Sequence, residues 1–391
     1  MEVDQPGCIP LDPGQATAVV CRVLELEQLP GWSPGPVPFC QPSSPETRAR
    51  GLHLSTDATA RSTLVSRDLA PVLYDPKLRR WLEVRDPVAG IHLNAVEVLA
   101  IGDGATTLLA VHLADAARLP SIRRPTSPEA VAFWTALKDQ HLPAARYAEG
   151  PVRSVSFASA PSDQAMVEAY TAISGIREGS GQRSARHELT VSKPDWSALV
   201  LRDGLAVISH PGEDRAFAPH LHVQTHSVYL DALLLAWSQR ILLDRSGERA
   251  VHARLDVPDE LVALERGHFE FKRTAWRRSL THKRTSPLDD VLTSLQRELL
   301  TDRDVEDVED RVRDGARLAR TLHQEESTRA QEALNRTVQI AAIVIGALGL
   351  AYAAAPTVAQ PSWALFLWAS LAGLAAIGVS LIALSLMSGK D

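Results

Sequence analysis

From Thr337 to Met387 the chain carries two uncharged apolar runs, TVQIAAIVIGALGLAYAAA and WALFLWASLAGLAAIGVSLIALSLM, joined by PTVAQPS. Runs of about 19 and about 25 residues each meet the roughly 20 that a helix needs to cross hydrocarbon. Two such helices back to back have no polar face to turn toward water, so a soluble packed pair is a poor alternative. The expectation is a transmembrane hairpin, with helices over 337–355 and 363–387 and a short tail over 388–391. Arg329 and Arg336 precede the first run, Lys390 follows the second, and the loop between carries no charge. Basic flanks stay on the cytoplasmic side. Both termini are therefore expected in the cytoplasm, with the protein in the cell (inner) membrane, and no amino-terminal signal segment is recognised to move them.

In front of the hairpin lie more than 300 residues, enough for a sizeable core. The chain as a whole is 45% hydrophobic and 23% charged, with a formal net charge of −6. That balance, with no basic stripe interleaved with aromatics, gives no case for nucleic acid as a partner. Cys8, Cys21 and Cys40 have no metal-type spacing and are assigned no role.

The pattern along the chain divides it further. Residues 1–50 form a proline-rich segment with one apolar run, Ala16 to Leu26, readable as a strand or a short helix. Residues 51–220 read as an α/β domain. Its strands are expected over Ile91–Ile101, Thr106–His112, Val152–Ala158, Glu188–Ser192 and Ala198–His210, with Asp103-Gly104 and Asp203-Gly204 as hairpin signals. Helices are expected over Pro128–Gln140, with Ser127 as N-cap, and over Ser162–Ser174. From 221 to 336 the period becomes helical: Val228–Leu243, Pro258–Leu280 and Leu288–Leu300 form a helical layer. Asp302 to Arg336 then runs into the first apolar segment with no proline between them. One helix from Asp302 to Ala355 would be about 80 Å long.

The stretches YLDALLLAWSQRILL, FEFKRTAWRRSLTHKRTSPLDDVLTSLQREL and QEALNRTVQIAAIVIGAL, in this order before a membrane hairpin, resemble the helical and stalk portions of the CorA-type magnesium transporter superfamily. The resemblance covers about residues 220–391. It implies a homopentamer whose first membrane helix lines an ion path and whose cytosolic domain senses a divalent cation, magnesium in the family. Members that move magnesium carry Gly-Met-Asn where that helix meets the outer loop. Here Ala351-Tyr352-Ala353-Ala354-Ala355-Pro356 stands in its place, so magnesium selectivity is not carried over.

Four groups of residues are candidates for chemistry. Steps of four and three along the first membrane helix place Asn335, Gln339, Ala342, Gly346, Gly349 and Ala353 on one face. Such a face suits either a pore lining or a close helix contact with Ala369, Gly373 and Ala376. The acidic run Asp302 to Asp310 offers Asp304, Asp307 and Asp310 as hard-ion ligands, against the alternative of a solvated helix face. His210, His220, His222 and His226 fall within a short stretch, and on a helix His222 and His226 share a face. They suit a transition metal or a structural role. The basic segment around Trp276, from Lys272 to Arg284, suits an acidic neighbour or anionic headgroups. No nucleophile elbow, phosphate loop, zinc motif or dinucleotide fingerprint occurs, so no enzyme is expected.

Overall fold

A computed structural model describes residues 9–11, 16–40, 58–102, 106–159, 191–210, 217–252, 257–274, 276, 279–281, 286–300 and 302–354. The chain divides into two units, Met1–Ala253 with Ala263–Arg313, and Arg254–Val262 with Asp314–Asp391.

The first unit is built on one mixed sheet. Its strands are β2 (Thr17–Glu25), β3 (Ser33–Pro34), β5 (Arg79–Glu83), β6 (Leu93–Ile101), β7 (Thr106–Leu113), β8 (Arg146–Tyr147), β9 (Arg153–Ser159), β10 (Val191–Ser192), β11 (Trp196–Leu201) and β12 (Gly204–Ser209). Their order is β10-β11-β12-β9-β2-β7-β6-β5-β3, with β8 beside the end of β2. A separate two-stranded pair joins β1 (Ile9–Pro10) to β4 (Phe39–Cys40). Within the large sheet β9 and β12 pair in parallel, and the other neighbours run antiparallel. The expected α/β domain is thus a mixed sheet dominated by hairpins and meanders.

Both hairpin signals hold, because β6 pairs with β7 from Ile101 and Thr106 outward, and β11 pairs with β12 from Leu201 and Gly204 outward. In the second hairpin the loop is Arg202-Asp203, and Gly204 already belongs to the strand. Its φ of +142° and the approach of the Ser154 backbone leave no room for a Cβ. Within the proline-rich segment, residues 17–25 belong to the sheet of the domain. The run from Ala16 becomes β2, which lies between β7 and β9 in the middle of the sheet. A run of apolar residues such as AVVC is what a position covered on both faces requires.

Alternation along the strands feeds two cores. Ala18, Val20, Val96, Val98, Leu109 and Val111 face α3 (Leu119–Ile122) and α4 (Pro128–His141), which contribute Leu119, Ile122, Phe133, Trp134 and Leu137. Ser127 caps α4 as expected, its hydroxyl accepting the Ala130 N–H at 3.1 Å. The opposite face presents Val19, Cys21, Leu99, Leu108, Ala110, Val155 and Phe157 to a helical layer. That layer holds α5 (Phe217–Gln224), a π-helical turn (Thr225–Tyr229) and α6 (Leu230–His252), followed by α7 (Pro258–Thr274) and α8 (Pro287–Leu299). Leu288, Val291, Leu292, Leu295 and Leu299 form the buried stripe of α8, at helical spacing. Two short helices, α1 (Ala58–Leu64) and α2 (Ala70–Leu73), precede β5. Helix α7 stops at Thr274, short of the Leu280 expected from sequence.

Helix α9 runs unbroken from Asp302 to Ala354, 53 residues. Val305, Val308 and Val312 bury into the core of the first unit. Within the second unit, Val338, Ile340, Ile343 and Ile345 are each about 60–70% exposed, and the helix has no covering layer among the described residues. No helix among the described residues is long and apolar enough to cross a membrane. The expected second membrane helix, 363–387, the tail 388–391 and the expected helix Ser162–Ser174 lie outside the described residues. Side chains of the first run are described to Gly346 and at Gly349.

Candidate functional site

Charged residues inside apolar runs are costly, and this chain has several that meet in one place. Strand β6 reads LNAVEVLAI with Glu97 on the face toward the helical layer; β7 places His112 on the same face, and β2 places Thr17 there. Helix α6 opens LDALLLAW with Asp231 buried, and α5 with the π turn supplies His222 and His226. Arg61 comes from α1, Tyr74 from the end of α2 and Arg79 from β5. All nine side chains are buried, the most exposed being Tyr74 at 6%.

The π turn has a local cause. Thr225 and Ser227 donate their hydroxyls to the Leu221 and Val223 carbonyls at 2.8 and 2.7 Å, competing with backbone N–H groups for the helical ladder. Such turns disturb a helix at one point and occur often at functional positions. Here the disturbance falls at His226.

Two guanidiniums and two carboxylates balance in charge. Asp231 takes Arg79 Nη1–H at 2.7 Å, Arg61 Nη1–H at 3.1 Å and the Tyr74 hydroxyl at 2.9 Å. Arg61 also donates to the Val37 carbonyl at 2.8 Å, and Arg79 to the Leu73 carbonyl at 3.1 Å. Arg79 Nε–H donates to Glu97 Oε2 at 3.0 Å, while Nη2, 2.9 Å from the same oxygen, adds attraction without a well-aimed hydrogen bond. Burial alone would raise the Glu97 carboxyl, but the Arg79 guanidinium and the His112 hydrogen bond hold it well below the usual carboxylate range. Burial opposes charge on Arg79 too, and Glu97 and Asp231 outweigh it and raise its pKa. Glu97 is therefore an anion and only accepts.

From that anion the proton positions follow one by one. His112 Nε2 lies 3.1 Å from Glu97 Oε1 and must carry its proton. Burial keeps His112, His222 and His226 neutral, His222 being lowered to about 4. A neutral His112 then accepts at Nδ1, so His226 donates from Nδ1 across 3.1 Å. His226 accepts at Nε2, 2.7 Å from Thr17 Oγ1, and the Thr17 hydroxyl donates to it. With its one proton committed, Thr17 accepts from His222 Nε2–H at 2.5 Å. The last ring nitrogen, His222 Nδ1, is buried and has no hydrogen-bond partner among the described residues. His222 stacks on Phe157 with ring centroids 4.4 Å apart.

Of the four histidines singled out from sequence, two join this cluster. His210 instead meets Ser197 Oγ at 2.8 Å, and His220 meets Gln224 at 2.8 Å. Thr17, Arg61, Tyr74, Arg79, Glu97, His112 and Asp231 were not singled out, although a charged or polar residue within an apolar run was the available signal.

The acidic run is arranged differently. Asp304 accepts from Arg240 Nη1–H at 2.9 Å, Glu309 pairs with Lys272 at 2.8 Å, and Asp310 pairs with Arg313 at 3.1 Å. Asp304 and Asp307 line a cleft of about 320 Å3 between α6 and α9, with Asp244, Glu248 and Arg311, and Asp310 is not part of its lining. Among the described residues no group of three or more His, Cys, Asp or Glu side chains is placed to hold a metal ion. Asn335, Gln339, Ala342, Gly346 and Gly349 are all exposed on α9, and an added Cβ at either glycine would meet nothing within 4 Å among the described atoms; the side chain of Ala353 lies outside the described set. Cys40 is disulfide-bonded and Cys21 is a free, buried thiol, pushed well above its ordinary pKa by burial and then by Glu97.

No protein-family model, curated protein or solved structure matches the chain.

Proposed function

We propose that the chain is one protomer of a homo-oligomeric, pentameric, CorA-like protein of the cell membrane that conducts cations. In this reading the runs 337–355 and 363–387 form the membrane hairpin, and the mixed-sheet domain is the cytoplasmic regulator. Asn335, Gln339, Ala342, Gly346, Gly349 and Ala353 line the path. Asp304, Asp307 and Asp310 help hold a divalent ion, such as magnesium, at the contact between subunits. The observation that carries the reading is the bare apolar surface at Val338, Ile340, Ile343 and Ile345 on a helix that begins as a charged one, since so much apolar surface calls for lipid or other protomers.

The test is cation flux in liposomes reconstituted with purified protein. Gln339→Leu adds a hydrophobic constriction to a water-filled path and should reduce flux several-fold with the oligomer intact. Unaltered flux in Gln339→Leu, beside a Gly346→Leu protein that falls apart, would overturn the pore. Ala351 to Pro356 in place of Gly-Met-Asn favours a second reading, in which the hairpin anchors or permeabilises the membrane for a sensor or effector domain that binds a ligand or partner.

A further inference from the structure

We infer that the disulfide at Cys40 is a redox clasp on the strap of chain 33–40, holding it over the buried charge cluster when formed and releasing it when reduced. The inference rests on the described domain and does not depend on the membrane reading. Its basis is what the strap touches. The Val37 carbonyl accepts from Arg61 Nη2–H at 2.8 Å, and the Val37 N–H donates to Glu97 Oε2 at 3.4 Å. The Phe39 ring lies against His112 and His226, with centroids 4.8 and 5.4 Å away. Val37 and Phe39 are both 0% exposed, so the strap covers this side of the cluster.

The end of the strap is held lightly apart from the bridge. Among the described residues β4 pairs with β1, two residues long, through the Ile9 N–H to the Pro38 carbonyl at 2.8 Å and the Leu11 N–H to the Cys40 carbonyl at 3.3 Å. A strand pair of this size is not stable by itself. Leu11, Val37 and Phe39 share a small apolar core with Ala95 and Val223, separate from the two large cores, so the strap can lift without disturbing those. The chain has three cysteines and Cys21 is a free thiol, which leaves Cys8, the residue before β1, to bridge Cys40 within one chain. Such a bridge ties β1 to the strap across a long loop, where a cross-link constrains the chain most. Cys40 is partly exposed and open to attack by a thiol.

Opening takes two electrons and two protons from a thiol reductant such as glutathione. A reductant thiolate attacks one sulfur of the bridge, the S–S bond breaks, and a mixed disulfide forms while the other chain sulfur leaves and takes a proton. A second reductant thiolate displaces the remaining chain sulfur, which takes the second proton, and the reductant departs as its own disulfide. Oxidised glutathione reverses both steps. Cys21 takes no part, because it is 0% exposed and burial keeps it a thiol. Once the tie is cut, Phe39 lifts from His112 and His226, Arg61 exchanges the Val37 carbonyl for water, and the cluster opens to solvent on this side.

Titration of the full chain in detergent with glutathione buffers, from fully oxidised to fully reduced, tests it. Thiols trapped by alkylation and located by mass spectrometry should show Cys8 and Cys40 opening together in the folded chain, with Cys21 unlabelled until denaturation. Amide hydrogen exchange in peptides covering 33–40 should quicken about tenfold in reduced glutathione, with β9 and β11 unchanged, and slow again on reoxidation. Cys40→Ser and Cys8→Ser should exchange at the reduced rate in every buffer. Three results would overturn the clasp: a bridge that stays closed in reduced glutathione until the chain unfolds, as a purely structural one does, exchange at 33–40 that is the same in both states, or a Cys40 that remains bridged in Cys8→Ser. If neither serine variant folds, the wild-type titration and its exchange rates decide the question.

Discussion

Replacing Asp231 with alanine should destabilise the first unit by about 3–5 kcal/mol, the cost of breaking a buried ion pair from one side. Asp231 is the acceptor for Arg79, Arg61 and Tyr74 together. Its loss leaves two guanidiniums, both 0% exposed, facing Glu97 alone. The cost comes from those stranded charges rather than from any large net worth of the intact pairs, because desolvation offsets most of what buried ions gain from each other. Asp244 supplies the contrast on the same helix. It pairs with Arg240 at 2.9 Å but is half exposed, so Asp244→Ala should cost no more than about 1 kcal/mol. Urea denaturation followed by tryptophan fluorescence, with Trp196 and Trp237 in the core as reporters, measures both. Equal effects of the two substitutions would show that the cluster does not hold the helices to the sheet.

Acid should destabilise the same unit, and the histidines set the range. Each of His112, His222 and His226 has a folded pKa below its ordinary value because burial disfavours the imidazolium. A depressed folded pKa means that the unfolded chain binds more protons. Stability is therefore full above about pH 6.5 and falls as pH drops toward the folded value. For His222, lowered from 6.5 to about 4, the loss across that interval is about 3 kcal/mol at 1.36 kcal/mol per pH unit. Glu97 acts in the same direction at still lower pH, since its carboxyl is held below the usual range and its contribution vanishes once it is protonated. Denaturation midpoints measured from pH 7.5 down to pH 4.5 should fall steadily below about 6.5. In His222→Phe, which keeps a ring against Phe157, the fall should be shallower. A flat profile, or greater stability in acid, would mean that these rings are charged in the folded chain.

The elements of this fold were easier to read in the sequence than their assembly. Two-residue alternation and Asp-Gly turns located β6, β7, β9, β11 and β12 to within a few residues, and Ser127 marked the start of α4. These are local signals, carried by a few neighbouring residues. Helix α7 ends at Thr274, and the Trp276 N–H meets the Phe271 carbonyl at 2.9 Å just beyond it. The placing of β2 at the centre of the sheet was not legible, because its proline-rich flanks suggest a loop and its partners lie about 90 and 135 residues further along. The cluster was half legible for the same reason. His222 and His226 share one helical segment and could be paired from spacing. Glu97, His112 and Asp231 each show as a polar interruption of an apolar run, but their meeting depends on strand register and on the face that α6 turns to the sheet. The charge density of the acidic run from Asp302 is visible in the sequence, whereas Arg240 and Lys272, which pair with Asp304 and Glu309, come from other helices and depend on the fold.

The central claim, a membrane hairpin that leaves the mixed-sheet domain in the cytoplasm, is tested most directly by thiol labelling in intact cells. A single cysteine introduced by Thr357→Cys should react with a membrane-impermeant maleimide added from outside. One introduced by Ser388→Cys should react only after the membrane is permeabilised, each read against the unsubstituted chain. Labelling of Ser388→Cys but not Thr357→Cys from outside, or recovery of the chain in the soluble fraction without detergent, would contradict the account.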